Sequence, residues 1–288
     1  MAAQLTDRAT SAMILEAAPR PRATLARPAL GRAAVAFADG VAYSSGVATA
    51  VGGALTYAVG RTFSIAHLGR WTALVVASTF LVYTVDRLRD VPRDRATSPG
   101  RTAFVERHRE PLALAALIAA IAAGLLVLSS PARVVALCAA VGGLGLLHRR
   151  LKRGPRWKIA YVTAAWSAVC VGIPWLVRDG RAGAESGFFA LAFVGSGVLA
   201  NVIASNLRAG KARPERSDAS GALRVARNLA FGGALLTAFA PPAIATLGFV
   251  PAAEAAALLC FRRSERYSHL AVDGALAVGA LLAILTPG

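Results

Sequence analysis

The amino-acid sequence predicts an all-α membrane protein in which nine transmembrane helices form one bundle. Of its 288 residues, 56% are hydrophobic and only 16% are charged, whereas soluble domains carry about 25% charged residues. Uncharged stretches rich in Ala, Leu, Val and Gly recur along the chain. Each is near the ~20 residues that a helix needs to cross the hydrocarbon core of a membrane. No segment shows the strict alternation of a membrane-spanning strand, so the predicted spans are helical.

The apolar stretches place these helices in order along the chain. The predicted ranges are 33–60, 68–87, 111–130, 132–148, 158–177, 186–207, 226–249, 251–262 and 269–286. Three prolines separate the seventh helix from the short eighth one, namely Pro241, Pro242 and Pro251. Without that separation the chain has eight spans, which is the main alternative.

Residues 1–32 contain several arginines but no sustained apolar segment. They are therefore predicted to form a poorly ordered basic arm in the cytoplasm rather than a signal peptide. The remainder, residues 33–288, is predicted to form a single transmembrane domain.

The distribution of basic residues predicts the orientation of the bundle. In the nine-span arrangement, 27 of the 32 Lys and Arg residues fall on one side of the membrane. The other five are Arg61, Arg70, Arg133, Arg178 and Arg181. Basic residues collect on the cytoplasmic side, so the N-terminus is predicted to be cytoplasmic and the C-terminus to lie outside the inner (plasma) membrane.

Topology also accounts for the net charge of +17, which in a soluble protein would indicate a nucleic-acid binder. Few aromatic residues are interleaved with the basic ones, as base stacking would require. The expected partners are therefore membrane lipids, and nucleic acid is not among them.

Three aspartates stand at the cytoplasmic end of the second predicted helix. Asp86, Asp90 and Asp94 are spaced four residues apart, so their carboxylates follow one stripe of a helix. Carboxylates this close repel one another unless a cation neutralises them. Mg²⁺ suits such a stripe when a substrate phosphate completes its coordination. Pro92 is an alternative end for the helix, which would place Asp94 in a loop.

Four arginines are interleaved with these acids, namely Arg87, Arg89, Arg93 and Arg95. One interpretation is that the arginines pair with the aspartates and form a solvated surface next to the membrane. Another is that they bind an anionic head group or a diphosphate. The spacing alone leaves both interpretations open.

Further polar residues are predicted at the same depth in other helices. They are Asp39, Lys158, Asn201, Asn206, His269 and Asp273. Ionisable residues are costly inside a membrane and usually face a cavity or a partner. Structural pairs, Asp39 with Lys158 and His269 with Asp273, are the alternative to a catalytic or substrate-binding role.

These motifs resemble those of the UbiA superfamily of intramembrane prenyltransferases. The resemblance spans residues 33–286 and is most specific at 83–109, 151–174 and 201–221. Members of that family have nine helices, a cavity open to the cytoplasm, and aspartate-rich motifs after the second and sixth helices. They bind an isoprenyl diphosphate through Mg²⁺ and transfer the prenyl group to an aromatic or lipid acceptor.

The chain departs from the family pattern at both motifs. The first motif commonly reads Asn-Asp-x-x-Asp-x-x-x-Asp, and here Asp86 stands at the Asn position and Arg87 at the first Asp. Asp90 and Asp94 match the last two positions. After the sixth helix, residues 205–211 supply an amide and cations but no acid. The resemblance therefore implies a divergent member with a degraded second motif.

Together, the residue pattern and the resemblance predict an alkyl-transferring enzyme that uses Mg²⁺, a prenyl diphosphate and a hydrophobic acceptor. The metal ligands are predicted to be Asp86, Asp90 and Asp94. The catalytic residues are predicted to be those three with Lys158, Asn201 and Asn206. The substrate-binding residues are predicted to be Arg87, Arg208, Lys211, Asp39 and Asp273.

Two other functions remain open at the level of sequence. Loss of the second motif is also typical of a non-catalytic UbiA-like subunit that binds a lipid or pigment in a membrane protein complex. A transporter with Asp39, His269 and Asp273 as proton carriers is a weaker alternative, because the sequence shows no repeated halves or paired broken helices.

Overall fold

The computed structural model describes Phe37 and residues 39–95, 98–151, 155–180, 183–207, 216–264 and 267–287. The predicted basic arm at residues 1–32, together with Arg208 and Lys211, lies outside these ranges. The structure is 87% helix, and no strand occurs in the described ranges. The all-α prediction is confirmed.

The helices follow one another with short connections. In chain order they are α1 Gly46–Thr62, α2 Leu68–Asp94, α3 Pro99–Arg107, α4 Arg109–Leu128, α5 Ala132–Leu151, α6 Pro155–Ser167, α7 Ile173–Val177, α8 Ala184–Ser205, α9 Arg216–Leu235, α10 Pro242–Ala245, α11 Phe249–Leu259 and α12 Asp273–Leu285. Residues 39–43 are helical as well. Wide π turns join α6 to α7 (Ala168–Gly172) and precede α12 (Ser268–Val272).

Within the described ranges, six helical segments are long and apolar enough to cross a membrane. They are Leu68–Pro92, Arg109–Leu128, Trp157–Val177, Ala184–Ser205, Pro242–Leu259 and Ser268–Leu285. The chain is therefore a multi-pass helical membrane protein, as predicted. The count of nine spans and the orientation of the termini remain predictions.

Several helix boundaries differ from the predicted ones. The first predicted helix, 33–60, is interrupted at Ser44 and Ser45, and α9 begins at Arg216 instead of residue 226. α2 continues through Pro92 to Asp94 instead of ending at residue 87. The missing N–H of a proline removes one helical hydrogen bond, and near the end of a long packed helix that loss does not stop the helix. All three aspartates of the acidic stripe therefore lie on α2.

The break between the seventh and eighth predicted spans lies at Pro241, not between residues 249 and 251. Ala240 and Pro241 each precede a proline, and their ψ angles of 146° and 141° are extended, as expected for residues in that position. Pro251 falls in the first turn of α11. A first-turn N–H has no intrahelical acceptor, so a proline costs little there.

Close helix contacts bring α1 and α12 together, although they lie far apart in the sequence. α1 packs against both α2 and α12, and α8 packs against α6, α9 and α11. A Cβ atom added to Gly53 of α1 would lie 2.8 Å from the Cγ2 atom of Val76 on α2, so a glycine is needed at this crossing. These contacts carry polar residues from α2, α8 and α12 to the same end of the bundle. We call this end, where α2 and α8 terminate and α12 begins, the basic end.

Candidate functional site

A polar cluster lies at the basic end of the bundle, where α2 faces the start of α12. Tyr83 of α2 is within electrostatic range of Asp273, Arg87 and Asp86. We define the polar cluster as these four residues together with Ser205 and His269, which contact Asp273. It unites residues from α2, α8 and α12, so part of the predicted juxtaposition is observed.

Asp273 is held by partners on two sides. The hydroxyl of Ser205 donates to Asp273 Oδ1 at 3.2 Å, and His269 Nδ1 lies 3.0 Å from Asp273 Oδ2. The His269 ring stands edge-on to Tyr43 with 6.4 Å between centroids. The predicted pairing of His269 with Asp273 is confirmed, and the π turn at Ser268–Val272 presents His269 to the helical residues 39–43.

Arg87 binds the backbone of the helical residues 39–43 and of Ser44. Its Nη1 donates to the carbonyl oxygens of Tyr43 and Ser44. Those carbonyls lie at the end of the helical residues 39–43, where helix carbonyls lack intrahelical donors. Arg87 therefore caps this short helix and ties it to α2. Next to this contact, Ser45 Oγ and Thr84 Oγ1 lie 2.7 Å apart in a buried hydrogen bond.

The three aspartates of the stripe have different surroundings. Asp86 is exposed and Asp90 is half-buried. Asp94 accepts a hydrogen bond from Arg101 of α3, and the two form an ion pair in which both side chains are largely shielded. The partner of Asp94 is therefore an arginine of α3, which is not one of the four interleaved arginines of the predicted pairing.

No group of three His, Cys, Asp or Glu side chains placed to hold a metal ion occurs within the described residues. Asp86, Asp90 and Asp94 share a helix face, but Asp94 is drawn toward Arg101. The structure thus shows no preformed three-carboxylate centre. At most, two carboxylates of the stripe remain for a shared cation.

The two predicted asparagines bind backbone carbonyls. Asn201 is buried, and its Nδ2 donates to the carbonyl of Val272 at 3.0 Å, which connects α8 to the π turn before α12. Asn206 Nδ2 donates to Val202 O at 3.0 Å, one turn back on its own helix. Asn201 therefore positions the start of α12, whereas the Asn206 amide group is bound to its own helix.

Aromatic residues of α2 and α6 lie near Asp86. Trp166 Nε1 donates to the Tyr83 hydroxyl at 3.0 Å, and the two rings meet edge to face with 6.1 Å between centroids. Tyr161 lies within electrostatic range of Asp86. Lys158 is half-buried one turn before Tyr161. Aromatic faces of this kind can stabilise a positive charge.

The remaining predicted site residue, Asp39, opens the helical residues 39–43 and is half-buried. Arg208 and Lys211 belong to the connection between α8 and α9, outside the described ranges. Their predicted role therefore remains a prediction.

Glu254 is a further buried acid near this site that was not predicted from the sequence. This residue lies in α11 with 0% of its surface exposed, and neither carboxylate oxygen has a hydrogen-bond partner. It is close enough to Asp273 and Asn201 to interact electrostatically with both. The signal was present in the sequence, because Glu254 is the one charged residue between Pro242 and Leu259, and charges inside a membrane span usually have a role.

Comparison of the chain with protein-family models, curated proteins and solved structures finds no match. The likeness to the UbiA superfamily therefore rests on the motifs quoted above, and the function is inferred from the site.

Proposed function

We propose that the chain is a membrane-embedded prenyltransferase that binds an isoprenyl diphosphate at the basic end and transfers the prenyl group to a hydrophobic acceptor. The observation that carries this proposal is the juxtaposition of Tyr83, Asp86 and Arg87 with Asp273 at the end of an apolar bundle. An amphiphile with a charged head and a long hydrocarbon tail matches that arrangement. The proposal also adopts the predicted cytoplasmic orientation of the basic end.

The donor set at α2 suits a magnesium ion shared with the substrate. Mg²⁺ is usually bound by one or two carboxylates, with phosphate oxygens and water as the other ligands. Asp86 and Asp90, one turn apart on α2, would supply those carboxylates, whereas Asp94 is engaged by Arg101. When bound, the ion would neutralise negative charge on the departing pyrophosphate. This assignment reduces the predicted metal ligands from three to two.

The chain's own residues would divide the remaining work. Lys158 would bind the diphosphate. The rings of Tyr83, Tyr161 and Trp166 would stabilise the positive charge on the allylic carbon as its bond to the diphosphate oxygen breaks. The bond electrons leave with pyrophosphate. An electron pair of the acceptor then forms the new bond, and the acceptor's proton passes to pyrophosphate. Apolar helix faces would exclude the water that would otherwise capture the cation.

A second candidate is a non-catalytic subunit that binds a lipid or pigment within a membrane protein complex. It is favoured because several residues predicted to bind the substrate or the metal, or to act in catalysis, already have partners within the protein. Arg87 binds two backbone carbonyls, Asp94 binds Arg101, and Asn206 binds its own helix. In this case the polar cluster would serve to hold α2, α8 and α12 together.

Asp90→Asn is the variant that separates the two candidates, with Asp179→Asn as the matched control. Asp179 is an exposed aspartate at the opposite end of the bundle. We expect farnesyl diphosphate with Mg²⁺ to raise the Tm of the purified full-length protein in detergent, and EDTA to abolish the rise. Because Asp90 would lose a charge-assisted contact, the apparent affinity should fall about 10–100-fold in Asp90→Asn and stay unchanged in Asp179→Asn.

Release of pyrophosphate from farnesyl diphosphate is the second measurement. Mg²⁺-dependent release by wild type that is lost in Asp90→Asn supports the transferase. A wild-type protein that shows neither a Mg²⁺-dependent shift nor pyrophosphate release, and that co-purifies with other membrane proteins, would instead support the non-catalytic subunit. Equal release by wild type and Asp90→Asn would refute the role assigned to Asp90.

A further inference from the structure

Glu254 is a buried acid that the proposed transfer reaction does not use. It lies one turn beyond Pro251 in α11, inside the apolar segment Pro242–Leu259. Its side chain is 0% exposed, and both Oε atoms lack a hydrogen-bond donor. An ionised carboxylate without a partner in an apolar interior costs far more than a folded protein can supply, so such a group takes up a proton instead.

The groups around Glu254 do not offset a negative charge. Asn201 of α8 is adjacent, but its Nδ2 points to Val272 O at 3.0 Å, so its contact with Glu254 is not a well-formed hydrogen bond. Asp273, at the start of α12, adds a second negative charge within electrostatic range. His269 pairs with Asp273 rather than with Glu254.

Arg227 and Tyr267, two further polar residues near α11, are bound to its backbone. Arg227 of α9 donates to Leu258 O at 3.0 Å and to Leu259 O at 3.3 Å. The hydroxyl of Tyr267 donates to Ala257 O at 2.8 Å, and desolvation raises its pKa. Both therefore engage the last turn of α11 and leave the Glu254 carboxyl group without a compensating donor.

We propose that Glu254 is a proton-binding site within the membrane-spanning bundle, occupied by a proton at neutral pH, and that this proton exchanges with the basic end through Asp273 and His269. The route follows from the proximity of Asp273 to Glu254 and from the partial exposure of Asp273. Asp273 is within electrostatic range of Glu254, is 23% exposed and lies 3.0 Å from His269. A hydrophobic residue of similar size would fill the same space, so packing alone does not account for an acid here.

Infrared spectroscopy of the full-length protein with ¹³C-carboxyl-labelled glutamate tests the occupancy. At pH 7.5 we expect the carbonyl band of a protonated carboxylic acid at the isotope-shifted position in wild type. The band should vanish in Glu254→Gln and persist in Glu185→Gln. Glu185 is an exposed glutamate in the first turn of α8, so it serves as the matched control.

A second variant keeps the test valid if Glu254→Gln does not fold. Glu254→Asp retains an acid that carries no label, so the protonated-acid band should move to its unlabelled position. Absence of the band in wild type, or its persistence at the shifted position in either variant, overturns the proposal.

The exchange route has its own measurement. After transfer of wild type into deuterated buffer, the Glu254 band should shift as the proton is replaced, and Asp273→Asn should slow that shift at least several-fold. An unchanged exchange rate in Asp273→Asn would exclude the route. These spectra require neither substrate nor turnover, so they stand or fall independently of prenyl transfer.

Discussion

Three arginines near the end of α2 form the contacts that connect neighbouring helices at the basic end. Arg87 caps the helical residues 39–43 through two carbonyls. Arg101 and Arg95 connect α2 with α3 through Asp94 and Glu106. These pairs differ in exposure, with 11% and 20% of the side-chain surface exposed in Arg101–Asp94 but 70% and 43% in Arg95–Glu106. The shielded pair should therefore matter more for stability.

Arg101→Gln should destabilise the protein more than Arg95→Gln. Loss of Arg101 leaves Asp94 shielded from water without its charged donor, which costs about 1–3 kcal/mol. The exposed Arg95–Glu106 pair is screened by water and should contribute about 0–1 kcal/mol. Thermal unfolding of both variants in the same detergent measures the difference. Equal Tm values for the two variants would show that the Arg101–Asp94 contact is not stabilising.

At the scale of the elements, close contact between α11 and α12 depends on a single glycine. A Cβ atom at Gly279 of α12 would lie 2.5 Å from Phe249 O and 2.6 Å from Val250 Cα. Both obstacles are backbone atoms, so a side-chain rotation cannot relieve the overlap. Gly274, on the same helix, has no atom within 4 Å of the equivalent position.

Gly279→Ala should therefore force α11 and α12 apart, whereas Gly274→Ala should not. We expect a loss of about 1–3 kcal/mol for Gly279→Ala, the usual cost of overpacking. For Gly274→Ala we expect no loss, because alanine has the higher helix propensity and meets open space. Thermal unfolding of the two variants gives the comparison. A Gly274→Ala protein as unstable as Gly279→Ala would contradict the packing argument.

The positions of the helices could be predicted because hydropathy is a property of the sequence itself. Their exact ends depend on tertiary contacts. Contacts from α3 accompany α2 through Pro92 to Asp94, and no local signal predicts that. The π turn at Ser268–Val272 was also not predictable. Its carbonyl at Val272 receives Asn201 from a helix some 70 residues earlier in the chain.

The site was predicted only in part for the same reason. Asp86, Arg87 and Asp273 do lie near Tyr83, and His269 pairs with Asp273, as the structural alternative in the sequence analysis expected. Competition between partners cannot be read from one sequence, so the engagement of Asp94 by Arg101 was not foreseen. Glu254 stands alone in an apolar segment, far from any motif, so no residue spacing marked it as a site residue.

On the scale of the whole molecule, the exposed apolar helix surface and the bound arginines at one end of the bundle suit a protein surrounded by lipid. Apolar side chains on α4 are exposed at helical spacing; they are Leu114, Ile118, Ile121, Leu125 and Leu128. Such a stripe would be a liability in water and is expected against hydrocarbon. At the end opposite the basic end, Arg70 donates to Ser129, and Arg178 donates to Trp175 O at 2.6 Å. Two of the five arginines that the sequence predicts at that end are therefore bound within the protein.

The orientation of the bundle can be tested with one native and one introduced cysteine. Cys260 is exposed at the end of α11, on the side of the basic end. Asp179 is exposed in the connection between α7 and α8, on the opposite side. The other two cysteines, Cys138 and Cys170, lie in helices and are replaced by alanine in both proteins.

If the basic end is cytoplasmic, as the charge asymmetry predicts, a membrane-impermeant maleimide should label Cys260 in inverted vesicles but not in intact cells. In a protein that also carries Cys260→Ser, Asp179→Cys should show the opposite pattern. Labelling of both positions from the same side would contradict an odd number of spans between residues 179 and 260, and reversed labelling would place the proposed diphosphate site outside the cell.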